Sequence, residues 1–550
     1  MNDTASAGDQ ATLLGRQALG MDLLRSVMKR RYLVPIALFL FVSGMLIGLK
    51  LIRLDQQHGD SAMYFQITDN IAARGVPATN ISAAVTDFLA QQINNMTAQQ
   101  VADDPLVPKG PEEVNYFGLH ANYILYPIAV FAKVFPANAV LLTLYVLSFT
   151  GLVLLAYFAL RDRGIPVVAA ALFCIYIIFH PAWSTGLDWQ FYPERIFVLS
   201  GFVLMLLASR NGGRAALIVT AAICASISER AAIMAGIFLV LYPLLYWRTD
   251  RDRTFKLALG AASFAYGVVV LKFVLVNPEY SGYFPKNFAG LIANFQSPHF
   301  MQGLGLFALV NAGLLVVALF EWRAALIAFV IMLPNVVGTL GGVEKVGFYS
   351  HYHDLYLPAL VWAALAGFAS AYRMATARKG LVPVFYGAAF ALALALGSLD
   401  TSTMAQASVT PANLRNSFFV KFVNESEEYY GPEGAMLARA YGDLSRAVPV
   451  NAVVTMPEGG MSVLYHDRII QFFPLDIDRA GYAIMSVGKA ADGSRIYIGT
   501  PGYFLGAAEA HRVDQILLAR MKKDGYDLSH PVVIPRLGMA VFKRVGAKSK

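Results

Sequence analysis

Acids, histidines and phenols recur in this 550-residue chain where long apolar runs give way to polar sequence. After the first run stand Asp55, Asp60, Tyr64, Gln66 and Asp69, and the same polar interval closes on Gly118-Leu119-His120. Later runs break at Asp188 with Gln190, Tyr192 and Glu194, at Glu229-Arg230, and at Lys345 with His351-Tyr352-His353-Asp354. A carboxylate in such a set can take the proton from a hydroxyl nucleophile. Cations and imidazoles can stabilise an oxyanion or phosphate that leaves. Ionisable groups beside a bilayer are costly unless paired or hydrated, so a set gathered there is a functional-site hypothesis by default. Plain readings stand beside it. Asp55 and Asp60 also suit solvated loops or helix caps, Glu194 and Arg195 suit a surface ion pair, and Trp189 to Tyr192 suit an interfacial aromatic belt. Glu229-Arg230 suits a structural pair in a tight turn. His351 and His353, two apart, fit a strand face better than a helix, and zinc asks for three or four placed ligands. A divalent metal is left open, and no motif requires a cofactor.

The elements that must position these residues are membrane spans. The chain is 57% hydrophobic and 15% charged, with a mean hydropathy of +0.52, which is the composition of a polytopic membrane protein. The net charge of +8 is spread without a dense basic tract, so nucleic acid is not an expected partner. Cys174 and Cys224, the two cysteines, both fall in apolar runs and indicate no disulfide framework. Lys29-Arg30-Arg31 precedes the apolar run 32–51, an uncleaved anchor with its basic flank inside. Residues 121–135 carry Pro127 and Lys133. Laid along the outer interface rather than across the membrane, they leave every later basic cluster inside. The count then reaches about eleven spans, with the last at 381–398. The acids, histidines and phenols of the candidate set all fall on the outer side.

From residue 399 onward no run is long enough to span. Short β-like runs at 452–456, 468–473, 495–499, 531–534 and 538–544, with a helix at 513–523, predict a small extracytoplasmic α/β domain. The expected division is a cytoplasmic segment 1–31, a transmembrane domain 32–398 with a large first outer loop 53–137, and the domain 399–550. Pro457-Glu-Gly-Gly and Gly499-Thr-Pro-Gly are turn signals, not nucleotide loops.

With this organisation the chain resembles the GT-C superfamily of membrane glycosyltransferases, and within it an uncharacterised family of membrane proteins. The motifs that carry the likeness are Asp60-Ser-Ala-Met-Tyr64-Phe65-Gln66, Gly118-Leu119-His120, Asp188 with Tyr192-Pro193-Glu194, Glu229, and His351-Tyr352 before Pro358. In the tail they are 448–454, Asp467-Arg-Ile-Ile and Phe472-Phe-Pro474. Two departures stand out: Tyr192 replaces a histidine before Pro-Glu, and the proline usual after Gly-x-His is missing around Tyr123.

The resemblance implies a GT-C-like fold in a bacterial inner membrane and transfer of a sugar from a polyprenyl-phosphate donor to an envelope glycan, lipid or protein. It implies Asp60 as general base, with Asp188 and Glu194 orienting donor or acceptor. His120, His351 and Arg230 would meet the phosphate, and Tyr64, Gln66, Tyr192, Glu229 and Tyr352 would line the site. Two rivals stay open: a transporter or flippase for an envelope lipid, and a non-catalytic scaffold that displays the tail.

Overall fold

In a computed structural model, the structure describes residues 30–54, 57, 59–81, 113–118, 120–188, 190–275, 288–337, 351–397, 425–489, 493–499 and 507–546. Asp55 and Lys345 lie outside the described residues, as does the side chain of His351.

Apolar runs become helices because hydrocarbon offers the backbone no partner outside the helix. In chain order they are α1 (Arg30–Ile52), α2 (Gly59–Arg74), α3 (Leu125–Ala132), α4 (Ala137–Asp162), α5 (Val167–Phe179), α6 (Pro181–Asp188), α7 (Phe197–Ser209) and α8 (Arg214–Ile227). There follow α9 (Glu229–Leu245), α10 (Arg253–Val269), α11 (Phe288–Gln296), α12 (Pro298–Ala318), α13 (Trp322–Val337), α14 (Leu357–Ala377) and α15 (Val382–Gly397). Five stretches among the described residues are long and apolar enough to cross a membrane: Tyr32–Ile52, Ala137–Asp162, Arg253–Val274, Phe307–Val337 and Leu357–Ala377. The pair α5 and α6, bent by 65°, makes a sixth when taken as one span. By length and composition alone, five or six crossings are marked among the described residues, a test that leaves out shorter apolar helices. Helices such as α7 and α8, at 13 and 14 residues, fall short because polar turns cut them.

Two of these apolar stretches are broken within. His180, just before Pro181, is extended (ψ 127°), and the proline forces the bend between α5 and α6. The run Phe307–Val337 is not straight. The Phe307 ring lies 6.2 Å from His353, and Asn335 donates to the Tyr352 carbonyl at 3.0 Å. A straight helix of this length would hold those residues about 40 Å apart, so the chain doubles back at Leu319–Glu321. At eight residues α3 is too short to span, and it leaves Tyr126, Val130 and Phe131 exposed.

The bundle has two chemically different ends. At one, Arg210 meets Asp162 at 3.2 Å, Arg214 meets Asp252 at 2.7 Å, and buried Lys256 meets Asp250 at 2.5 Å. At the other lie the turns that carry Glu194, Glu229 and Asp354. Tight helix contact fixes one of these turns. A Cβ on Gly236 would stand 2.6 Å from the Phe264 nitrogen, and one on Gly267 would stand 2.6 Å from the Glu229 carbonyl. Small residues there let α10 lie against α9 and hold its first residue in place.

The tail contains α16 (Pro432–Ala447), α17 (Met461–Leu464), α18 (Ala507–Lys523) and strands β3 (Val453–Met456), β4 (Ile469–Phe472), β5 (Tyr482–Lys489), β6 (Arg495–Ile498), β7 (Val532–Ile534) and β8 (Met539–Lys543). A small ribbon of β1 (Ala78–Thr79) and β2 (Val114–Asn115) precedes them in the first polar interval. The sheet order is β4-β3-β5-β8-β7, with β6 on the side of β5. β3 runs parallel to β4 and β5, and the other pairings are antiparallel. The strands read from the sequence are present. The central β5 was not among them, because its Met485, Ser486 and Gly488 break the β-branched pattern. The tail and the bundle share one hydrophobic core, and Phe472 and Leu464 join Phe65 in it. The Ser462 hydroxyl donates to the Gln57 carbonyl, and Phe472 packs so near Gly59 that a Cβ there would lie 2.6 Å from its ring.

Candidate active site

Three acids stand in the first turns of short or long helices: Asp60 in α2, Glu194 in the 3-10 turn Pro193–Ile196, and Glu229 in α9. Exposed N–H groups and the helix dipole favour negative charge at such positions. Ser228 completes the last of these, its hydroxyl accepting from the Ala231 N–H at 3.2 Å.

Asp60 is held by groups from the turn after α6. Tyr192 donates to its Oδ2 at 2.6 Å and Gln190 Nε2 at 3.4 Å, while Gln190 also donates to the Tyr192 hydroxyl at 2.6 Å. The departure at Tyr192 thus places a phenol directly on Asp60. Burial and the neighbouring Asp60 carboxylate push the Tyr192 hydroxyl well above its ordinary pKa, so it stays a donor. The backbone of the same turn is pinned to side chains at and just before the start of α2: the Phe191 N–H donates to Ser61 Oγ at 2.8 Å and to Gln57 Oε1 at 3.1 Å.

Beside this lies a buried ionic group. Arg230 Nη2 donates to Glu194 Oε1 at 2.8 Å and its Nε lies 3.6 Å from Glu229 Oε1. His120 Nδ1 stands 3.8 Å from the same Glu229 oxygen. The Arg230 guanidinium lies over the Tyr352 ring at 4.7 Å. Tyr64 and Tyr116 share a hydrogen bond of 2.7 Å, with Tyr64 edge-on to Tyr192 at 6.2 Å and Tyr116 at 5.7 Å from His120. Burial raises both phenols well above their usual range. Asp60, Glu194, Glu229, Arg230, Tyr64, His120, Tyr192 and Tyr352 therefore converge, from five separate segments.

Other expected residues stand differently. Asp188 is half-buried, and its main-chain carbonyl accepts from Lys50 Nζ at 2.6 Å. Gln66 faces the tail. Its Oε1 accepts from Thr79 at 2.7 Å and from the Asn80 N–H at 3.0 Å, and its Nε2 reaches the Tyr465 and Arg468 carbonyls at 3.5 Å. Its amide binds protein and stands apart from the Asp60 cluster, because a helix position two past Tyr64 turns away from Tyr64. Among the described residues no group of three or more His, Cys, Asp or Glu side chains could hold a metal.

The sequence missed Arg195. Glu194 and Arg195 are not a surface pair, because both are buried and they diverge. Arg195 has no exposed side chain, donates to the Tyr145 hydroxyl at 3.1 Å, and lies 3.8 Å from the equally buried Asp354. Its guanidinium is also 5.8 Å from the Tyr192 ring. Burial pushes Asp354 up to about 7 even though Arg195 draws it down. Tyr116 and Lys50 were likewise missed. Only their distance from charged partners in the fold marks them, and no spacing along the chain reports that.

No family model matches the chain, and no curated protein does, so the family-level resemblance rests on its motifs alone. Among solved structures, ArnT from Cupriavidus metallidurans bound to undecaprenyl phosphate is similar at 14% identity and a TM-score of 0.45, covering 93% of this chain and 98% of the other. The same protein in the apo state gives 16% identity and a TM-score of 0.43, covering 92% and 97%.

Proposed function

We propose that this chain is an integral-membrane glycosyltransferase that moves a sugar from a polyprenyl-phosphate donor to an envelope acceptor at the outer face of a bacterial inner membrane. The observation that carries the reading is Asp60, set by Tyr192 and Gln190 beside the Arg230–Glu194–Glu229–His120 group. A lipid-linked donor keeps its phosphate at headgroup level, which is where a cluster at one end of an apolar bundle meets it. Asp60 takes the proton from an acceptor hydroxyl as that oxygen bonds to the anomeric carbon. The bond from this carbon to the phosphate oxygen breaks, and the phosphate leaves with its electron pair. Arg230 and His120 meet that charge, Glu194 and Glu229 hold Arg230, and Asp188 orients a sugar hydroxyl. The end rich in Arg and Lys faces the cytoplasm by the positive-inside rule, which puts the N-terminus inside and the tail outside. Eleven helices or helix pairs (α1, α4, α5 with α6, α7 to α10, and α12 to α15) make up the passes.

The test is turnover. Purified protein reconstituted with an envelope lipid extract releases polyprenyl phosphate from the sugar-linked form, followed by mass spectrometry. A wild-type protein with no release above an Asp60→Asn control would refute the reading.

A further inference from the structure

A cleft of about 550 Å³ opens on the face of α2 away from Asp60, between α2, the end of α3 and the tail. Its volume is that of a small-molecule site. We propose that it binds the saccharide portion of the acceptor. The binding claim stands on the cleft itself, and its assignment to the acceptor rests on the function proposed above.

The walls are fixed before anything binds. Asp69 Oδ2 lies 2.8 Å from His466 Nδ1, whose other ring nitrogen is 3.0 Å from Asp467. Asn70 Nδ2 donates to the Ala78 carbonyl at 2.7 Å. The Tyr465 hydroxyl accepts from the Asn138 N–H at 3.4 Å, which ties the tail to the first turn of α4. A preformed wall lowers the ordering cost of binding.

Chemistry then selects the ligand. The lining mixes acceptors (Asp69, Glu113, Asp467), amides (Asn70, Asn451) and one extended cation, Lys133, with Tyr465 and small alanines between them. Arg468, the other cation there, spends its guanidinium on the carbonyls of Ser445, Val448 and His466. Three carboxylates, with Arg74 held on Glu113 at 2.6 Å, offset the charges of Lys133 and Arg468, and Arg468 has its donors taken, so the cleft holds no surplus of free cationic donors for a phosphate or other anion. An acyl chain finds too many polar groups. A polyol, whose hydroxyls both donate and accept, satisfies the set. Location agrees: Lys133 follows α3, whose exposed Val130 and Phe131 suit the membrane surface. Asp60 and Asp69 are nine residues apart on one helix, roughly 13 Å along its axis and on opposite sides. A glycan gripped here is held by sugars several units from the reacting one.

The experiment is saturation-transfer NMR on the full chain in nanodiscs, with maltotetraose, chitotetraose and mannotetraose as probes. Wild type transfers saturation to at least one of them. Ala73→Trp, which fills the cleft from an exposed helical position, and Lys133→Glu each weaken the signal, the first by roughly tenfold. Asp60→Asn leaves it unchanged. No transfer to any probe, no loss in Ala73→Trp, or equal loss in Asp60→Asn overturns the proposal. Binding that passes these tests while turnover fails refutes only the transferase reading.

Discussion

At the scale of single residues, the cluster works by pairing. Glu194, Glu229, Arg195 and Asp354 are all buried, and charges taken out of water persist only where partners or hydrogen bonds compensate. Tyr192→Phe removes the 2.6 Å bond to Asp60. A hydrogen bond to a charged group contributes about 1.5–3 kcal/mol, so turnover is expected to fall roughly ten- to hundredfold with the protein still folded. Unchanged turnover would mean that Tyr192 does not set Asp60. Asp354 supplies a pH test. Its carboxyl is raised to about 7 in the folded chain, above the ~3.9 of an unfolded aspartate. Its contribution is therefore complete below about pH 4 and is lost as pH rises toward 7, because the unfolded form gives up the proton first. Thermal melts from pH 4 to 7 should show this decline in wild type, and Asp354→Asn should flatten it. The acids and His120 were legible as residue types beside apolar runs. Arg195 was not, because adjacency to Glu194 looked like a surface pair and only the fold shows the two diverging.

At the scale of elements, the position of Glu229 depends on how closely α10 approaches α9. Gly267→Leu forces its side chain against the Glu229 carbonyl, where a Cβ alone would lie at 2.6 Å. Overpacking of this kind costs about 1–3 kcal/mol, so the melting temperature should drop, while Gly305→Ala, with open space around it, should leave it unchanged. Equal behaviour of the two would mean that the close approach does not matter. Long apolar runs declared themselves in the sequence as helices, and alternation declared most strands of the tail. What escaped was a break inside one run. The bend at His180-Pro181 costs the pattern little hydrophobicity and leaves the apolar signal uninterrupted, whereas the charged Glu321-Trp-Arg323 marked the reversal at Leu319–Glu321. The β5 strand escaped for the opposite reason, since its residues are ordinary and its burial comes from neighbours on both sides.

At the scale of the whole molecule, segments from three regions meet at α2. Its N-terminal turn carries Asp60 into the cluster, its far face carries Gln66 and Asp69 to the tail, and Ser462 closes on the loop before it. The large first polar interval signalled that this region was special, but not that the tail would brace it. Contacts between residues some 400 positions apart, such as Asp69 with His466, leave no local trace in a sequence. The bundle's charge asymmetry predicts its orientation. Cysteine placed at Arg210 should react with an impermeant maleimide only in opened cells, and cysteine placed at Arg446 should react in intact spheroplasts. The reverse pattern would invert the topology and set the cluster on the cytoplasmic side. The central claim, that Asp60 acts on a membrane-held sugar donor, is met most directly by mass spectrometry of lipids co-purifying with gently solubilised wild type and Asp60→Asn. The account predicts a polyprenyl-phosphate sugar enriched on the variant, where the donor binds and does not react. Ordinary phospholipids alone on both proteins would contradict it.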